Sequence, residues 1–518
     1  MSASTVRYPA LRLRRWGFLA AVLLTSAAGT GMMVRIVGAA GFTLLEALIL
    51  ALFIPTFAWI VLPFWTAVAG FVLALLDRDP LTLARRAPAA DTPGGVAGSP
   101  PGEGGLRSRT ALVVPIYNED PTAVAARLSA MARALEATGQ GGRFHFHILS
   151  DTRHPEIARA EEAAWARLQG THPASVFFYR RRPENRGRKA GNIAEFCRRC
   201  GDDYDFMVVL DADSVMAGET LVRLVRTMEA NPRVGLIQTV PLPVRQETLL
   251  ARSIQFAAAL YAPLLAAGQA FWQGDAANYW GHNAILRVAP FRDHADLPVL
   301  PGGAPWGGEI LSHDFVEAAL LRRAGWEVVL DSGAGGSWEE LPGNLEDYAR
   351  RDRRWAQGSI QHLRLLGLPG LHPLSRAHFL TGAMGYLSSP LWLLLLLAGT
   401  AYVFFPGLRA HAVLAGAGLP PVPLSLLAGT AGILFLPKVM GVALALRQAG
   451  RFGGAGRLLA GAVVEAVLSV LLAPVMMVYH TRFVVEIASG RAVGWDAQPR
   501  EGGVLPWRLA LGASAAPF

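Results

Sequence analysis

The chain has 518 residues, 52% of them apolar, and a formal charge of +9. That length leaves room for more than one folded unit, and the apolar share exceeds what a soluble core needs, which sets aside a purely soluble enzyme in favour of a membrane protein. A nucleic-acid-binding role is set aside too, because the excess arginine flanks apolar runs or lies among candidate phosphate contacts rather than on a separate aromatic-studded face.

Trp16 to Val34 is free of charge and Phe42 to Leu76 carries only Glu46. Each is long enough to cross an apolar layer of about 30 Å, which takes roughly 20 helical residues. The first run has no A-x-A exit and the second follows at once, so it reads as an anchor rather than a cleaved leader. Arg7, Arg12, Arg14 and Arg15 precede the first span, and Arg78, Arg85 and Arg86 follow the second, with Arg35 alone between them. Arginine placement therefore puts the N-terminus and the segment after Leu76 in the cytoplasm.

Three further spans are expected over Phe379–Phe405, Val422–Leu446 and Leu458–Tyr479. Pro390, Pro437 and Pro474 lie inside them, where neighbouring helices satisfy the backbone groups that proline frees. Arg447, Arg451 and Arg457 fit the same orientation. Five spans would place Arg491, Arg500 and Arg508 outside, so a sixth, partial segment around Thr481–Ser489 is the alternative. The expected organisation is a membrane region over 1–84, a Gly- and Pro-rich linker over 85–108, a soluble domain over 109–375 and a second membrane region over 376–518.

The soluble stretch alternates strands with helices. ALVVPI reads as a strand, and Asp120 and Pro121 open the helix that follows. FHFHILS, SVFFYR and FMVVL read as further strands, with helices between them near Pro155–Leu168 and after Arg188. This pattern implies an α/β domain with a mainly parallel sheet covered on both faces, whose ligands gather beyond the carboxyl ends of the strands. Asn118 and Glu119, Asp151, and Asp211 with Asp213 all fall on that rim.

Asp211 and Asp213 stand two residues apart at a strand end and point to the same side. They suit one hard cation, or a ribose and a cation together, and a divalent ion there would neutralise a diphosphate. The alternative is a plain aspartate turn. Between Arg180 and Lys189 lie six basic side chains. Most suit a solvated or lipid-facing run, whereas Lys189 and Asn192, beside Gly187 and Gly191 at a helix start, are the better candidates for ligand contact.

Asp314 precedes an amphipathic helix. With Glu317 it reads either as a capping pair or as a carboxylate able to take a proton from an attacking hydroxyl. In RRDRRWAQGS, Arg354 offers a fork for phosphate oxygens and Trp355 a flat face for a sugar, against the alternative of a basic helix on the membrane surface. Trp272, Tyr279, Trp280 and Trp306 line the same groove or belong to the core. Cys197 and Cys200 lack a second ligand pair and read as two reduced thiols on a helix.

The ordered set VPIYNED, LSD, KAGN, DAD, HD and RRW resembles the processive family-two glycosyltransferases, which have a nucleotide-sugar-binding GT-A fold. FFYRRRPENRGRKAGN, VVLDADSVM, YWGHNAILR, ILSHDFVEAAL and RRDRRWAQG are similar to the branch that makes osmoregulated periplasmic glucans at the bacterial inner membrane. The likeness runs from about Thr110 to about Pro499. It implies a catalytic domain in the cytoplasm that moves glucose from UDP-glucose to a growing β-1,2-linked glucan with inversion.

Carried over by position, Asn118, Glu119, Asp151, Lys189, Asn192, Asp211 and Arg354 would bind the nucleotide sugar. Asp211 and Asp213 would hold Mg²⁺ or Mn²⁺, Asp314 would be the general base, and Trp355, Trp280 and His282 would meet the acceptor. Membrane lipid, an acyl carrier protein and a periplasmic glucan-processing protein are the associates the resemblance implies. Arg351 stands where the broader family usually has glutamine, and relatives of this branch continue beyond a segment like WDAQPREGG. The rivals are a cellulose-like synthase and a membrane sensor that binds nucleotide sugars without turnover.

Overall fold

The computed structural model describes residues 10–38, 42–81, 83, 105–405 and 421–492. Most of the linker expected over 85–108 lies outside the described residues, as do Arg7, Arg85, Arg86, Arg500, Arg508 and the WDAQPREGG segment. Two apolar helices come first, α1 (Leu11–Val37) and α2 (Leu44–Leu75). Thr43 and Glu46 form a capping box at the start of α2, so the one charge in that run serves the helix end and is fully buried there.

β1 (Thr110–Ile116), α3 (Pro121–Glu136), β2 (Phe144–Ser150), α4 (Pro155–Thr171), β3 (Val176–Arg181), α5 (Arg188–Cys200) and β4 (Phe206–Val209) then alternate. Asp120 caps α3 by accepting from the Thr122 and Ala123 backbone N–H groups, with Pro121 behind it. β5 (Val215–Met216), α6 (Gly218–Ala230), β6 (Val234–Gln238), β7 (Leu242–Pro243), α7 (Leu249–Gln273), β8 (Ala284–Arg287) and α8 (Val288–His294) follow. α9 (His313–Arg323), β9 (Glu327–Leu330), β10 (Ser337–Glu339) and α10 (Leu345–Gln361) complete the central part. The last described elements are α11 (Pro373–Phe404), α12 (Pro421–Leu446) and α13 (Ala455–Ala488).

One seven-stranded sheet runs β3-β2-β1-β4-β8-β6-β9, in which β8 alone is antiparallel to its neighbours. Leu112, Val113, Val208, Val209 and Ile285 are wholly buried, because helices cover both faces. Each such side chain contributes about 1.5–3 kcal/mol relative to exposure. Leu81 and Leu83, just after α2, join this core together with Leu106. A second sheet of three short strands, β5-β10-β7, sits beside the first and carries Glu339.

Among the described residues, six helices are long and apolar enough to cross a membrane: α1, α2, α7, α11, α12 and α13. α7 is the addition to the five expected, and its Ala- and Gly-rich run reads locally like soluble core. The segment around Thr481–Ser489 is not a separate element, since α13 continues through it to Ala488. Its polar groups are satisfied along the helix: Thr481 Oγ1 donates to the Met477 carbonyl at 2.7 Å and Arg482 pairs with Glu486 at 2.8 Å.

α7 packs on α2 at two glycines. A Cβ on Gly268 would run into the Thr66 carbonyl, and one on Gly70 into the Leu264 carbonyl, so only hydrogen fits at either crossing point. Gly268→Leu should force the helices apart and lower stability by about 2–4 kcal/mol. Heating the detergent-solubilised protein and measuring the fraction still soluble checks this. Gly399→Ala, with open space around it, should leave the profile unchanged.

Candidate active site

The rim beyond β1, β2 and β4 is tied together by its own polar groups. Asn118 adopts a positive φ of 55°, and its Oδ1 accepts from the backbone N–H groups of Arg153 and His154 at 3.2 and 3.4 Å. Its own N–H donates to Thr152 Oγ1 at 2.9 Å, so the loops after β1 and β2 move as one. Glu119 is half-buried beside it. Asp151 is buried and receives both arms of Arg182, at 2.7 and 2.8 Å. Arg182 also donates to the carbonyls of Arg186 and Arg188 at 3.1 Å each, which fixes the turn into α5.

That turn delivers Lys189. Its Nζ pairs with Asp211 and donates to the Gly281 carbonyl at 2.8 Å. Asn192 lies one turn on but does not reach the rim, against expectation. It is fully buried, its Nδ2 donates to the Leu149 carbonyl at 3.1 Å, and its Oδ1 accepts from Arg180. Asn192 lies deeper along α5, against the end of β2, while Lys189 in the first turn reaches Asp211.

Asp211 begins a tight turn, in which the Ser214 N–H donates to its carbonyl and its own N–H donates to Ser214 Oγ, both at 3.0 Å. D-A-D therefore forms the aspartate turn, with the Asp211 carboxylate turned to Lys189. Arg127 on α3 braces it, donating to the Ala212 carbonyl at 3.2 Å and to Glu340 at 3.0 Å.

The next residue along, Glu339, is one that sequence reasoning missed. Burial holds its carboxyl above the usual range; His282 and Arg351 oppose this, and Asp213 and Asp211 add to it. His282 Nε2 lies 3.4 Å from the Glu339 carboxylate. The only signal was a Glu pair between the HD and RRW motifs, in a strand too short to show a period.

The described residues hold no cluster of three or more His, Cys, Asp and Glu side chains able to bind a metal by themselves. Two strand-end carboxylates still fit Mg²⁺ or Mn²⁺, which take hard oxygen ligands and draw the rest from water and substrate phosphate.

Asp314 approaches from the other side. The N-cap of α9 is Ser312, whose side chain makes no capping bond, and Asp314 sits in the first turn. Glu317 bonds to His313 at 2.9 Å, so the capping-pair reading of Asp314 and Glu317 is not what the helix uses. A Cβ placed on Gly281, at φ 89°, would lie 3.5 Å from Asp314 Oδ2. Gly281 thus neighbours both Lys189, through its carbonyl, and Asp314. Burial pushes the Asp314 carboxyl up, opposed by His313 and reinforced by Glu317.

α10 presents two faces. Asp352 accepts from Tyr386 Oη at 2.9 Å and bonds His480 at 2.6 Å, and Arg353 meets Glu486 at 2.8 Å, which moors the helix to α11 and α13. Arg351 stacks over Trp355 at 4.6 Å and over Tyr348 at 5.5 Å, so the arginine in the usual glutamine position steadies an indole that is 48% exposed. Arg354 is half-buried next to it. His362 bonds the Ser312 carbonyl at 2.7 Å, so α10 also supports the start of α9. Trp280 is half-buried, with its N–H donating to Gln238 at 2.8 Å. Trp272 leaves the groove altogether and stacks on Phe18 of α1 at 5.0 Å.

Residues 111–295 match the sequence model of Glycosyl transferase family 2, and residues 206–405 that of Glycosyl transferase family group 2. The glucans biosynthesis glucosyltransferase H of Rhodopseudomonas palustris is 45% identical over 528 residues, covering 99% of this chain and 71% of that protein. The protein of the same name from Cupriavidus pinatubonensis is 45% identical over 519 residues, covering 97% of this chain and 58% of its own. Among solved structures, the mannosyltransferase PcManGT of Pyrobaculum calidifontis matches with a TM-score of 0.46 and 18% identity, over 82% of this chain and 99% of that one. The family-two match and the mainly parallel sheet make the fold GT-A, and the chain belongs to the glucans biosynthesis glucosyltransferase H family, membrane-associated glycosyltransferases of family two.

Proposed function

We propose that this chain polymerises glucose from UDP-glucose into the β-1,2-linked backbone of periplasmic glucans, at the cytoplasmic face of the bacterial inner membrane. The observation that carries the reading is the meeting of Asp211, Lys189 and Asp314 around Gly281. A leaving diphosphate and an attacking hydroxyl need those groups on opposite sides of one sugar ring. The catalytic domain is assigned to 109–375, between membrane regions 1–84 and 376–518, with the 85–108 linker ahead of it.

Asn118, Glu119 and the Asp151–Arg182 pair would receive the nucleoside, with Asn192 shaping the pocket from behind. Lys189, the start of α5 and Arg354 would face the diphosphate. Asp211 and Asp213 would hold Mg²⁺ or Mn²⁺, which when bound neutralises charge on the departing UDP. Asp314 takes the proton of the acceptor's 2-hydroxyl as its oxygen bonds to the sugar carbon. The bond from that carbon to the phosphate oxygen breaks on the opposite face, giving inversion without a covalent sugar intermediate. Trp355, Trp280 and His282 would guide the acceptor. An acyl carrier protein and a periplasmic glucan-processing protein would be its associates.

Membranes containing only this chain, given labelled UDP-glucose and a divalent metal, should make a glucan whose linkage analysis returns β-1,2 bonds. Recovery of β-1,4 bonds would make it a cellulose-like synthase instead. UDP-glucose binding without turnover would favour a sensor.

A further inference from the structure

Tyr279 closes the segment that leads from α7 towards β8, and it is among the largest fully buried side chains, at 1% exposed. Among the described residues its hydroxyl has no hydrogen-bond partner. A buried phenol needs an acceptor for its proton, since an unpaired polar group in that position is costly. Burial comes first among the influences on it, followed by the carboxylates of Glu317, Asp314 and Asp211, and together they hold it as a neutral phenol. Two of those carboxylates already have cationic or imidazole partners: Glu317 bonds His313 at 2.9 Å, and Asp211 pairs with Lys189. Asp314 makes no salt bridge among the described residues. It also sits against Gly281, two residues beyond Tyr279.

We infer that the Tyr279 hydroxyl is a positioning group for the transfer reaction, donating its proton to the Asp314 carboxylate in the substrate complex, directly or through one buried water. The other carboxylate oxygen is then left aimed at the acceptor hydroxyl. This rests on the assignment of Asp314 as the base. Hydrogen bonds of this kind are often long or unmade before substrate binds and tighten in the working complex.

A donor to a carboxylate favours its ionised form, so Tyr279 would offset part of the burial that pushes the Asp314 carboxyl up. The other groups that face Asp314 are His313 and Glu317 on its own helix and Lys189 from α5. α10 contributes His362, which burial holds down to about 4 and which is therefore neutral against the Ser312 carbonyl.

The test is Tyr279→Phe in the full chain in membranes, assayed for glucose transfer as a function of pH. Loss of the donor should move the acid limb of the rate profile up by about one pH unit and lower turnover at neutral pH roughly tenfold, with the KM for UDP-glucose within about twofold. A purely structural role would lower yield or heat resistance and leave the limb where it was. If the phenylalanine variant does not fold, a fluorotyrosine at 279 keeps the ring and is a stronger donor, and the limb should then move down. An unmoved acid limb in whichever of the two folds overturns the inference while leaving the proposed function standing. Polymer synthesis by Asp314→Asn would overturn the base assignment and the inference with it.

Discussion

Asp314→Asn should abolish glucan synthesis while UDP binding stays within about twofold of the parent, because the proposed base would act on the acceptor proton and not on the nucleotide. The substitution keeps shape and hydrogen-bonding capacity but removes the basic oxygen. Positioned acid–base groups typically supply about 10²–10⁴-fold in rate, and loss of that order leaves no polymer above background. Single-turnover glucose transfer, measured beside equilibrium UDP binding on the same membranes, checks both halves of the statement.

The pH dependence follows in sign. Burial raises the Asp314 carboxyl above the ordinary range, so it takes up a proton, and ceases to be a base, at a higher pH than a surface aspartate would. Activity should therefore fall as pH drops through that raised value, before the fold itself responds. His313, held above its usual value because Glu317 outweighs its burial, loses its charge as pH rises. Raising pH thus removes a cation beside Asp314 while leaving the base ionised.

The strands that carry the rim were legible because each is a short run rich in apolar residues that leads into a polar one: ALVVPI before Asn118, FHFHILS before Asp151, FMVVL before Asp211. Other features depended on contacts that no local period announces. β8 inserts antiparallel between β4 and β6, and β10 is three residues long, so Glu339 could not be placed within the electrostatic reach of Asp213 before the chain was folded. RRDRRW read as one basic fork, yet helical rotation divides it, sending Asp352 and Arg353 to α11 and α13 and leaving Arg351 over Trp355. Asn192 misled because depth, not rotation, separates it from the rim. It shares a motif with Lys189 and stands three residues away, but it is wholly enclosed against β2.

The moored face of α10 bears on how the site is coupled to the membrane helices. Asp352 bonds residues of both α11 and α13, and the same helix holds the Ser312 carbonyl through His362. Hydrogen bonds thus link α13, through α10 and the His362 that follows it, to Ser312 at the start of α9, where Asp314 sits.

Asp211→Asn should cost as much as loss of the base but by a different route. It removes a charge from the pair that faces the diphosphate and leaves Lys189 without the partner that fixes its Nζ beside Gly281. Both side chains of that pair are partly exposed, at 19% and 28%, so the ion pair itself adds little to stability and the variant should fold normally. Transfer should nevertheless fall roughly a thousandfold, since a cation at this position stabilises charge that develops only as UDP departs. Chelating divalent metal from the parent protein should reproduce the loss, and adding back Mg²⁺ or Mn²⁺ should restore the parent but not the variant. Unlike Asp314→Asn, both treatments should weaken UDP binding, because in the proposed site the two carboxylates would meet the nucleotide only through a shared ion. Full activity in the chelated parent would remove the metal from the mechanism and leave Lys189, Arg354 and the start of α5 to carry the leaving-group charge unaided.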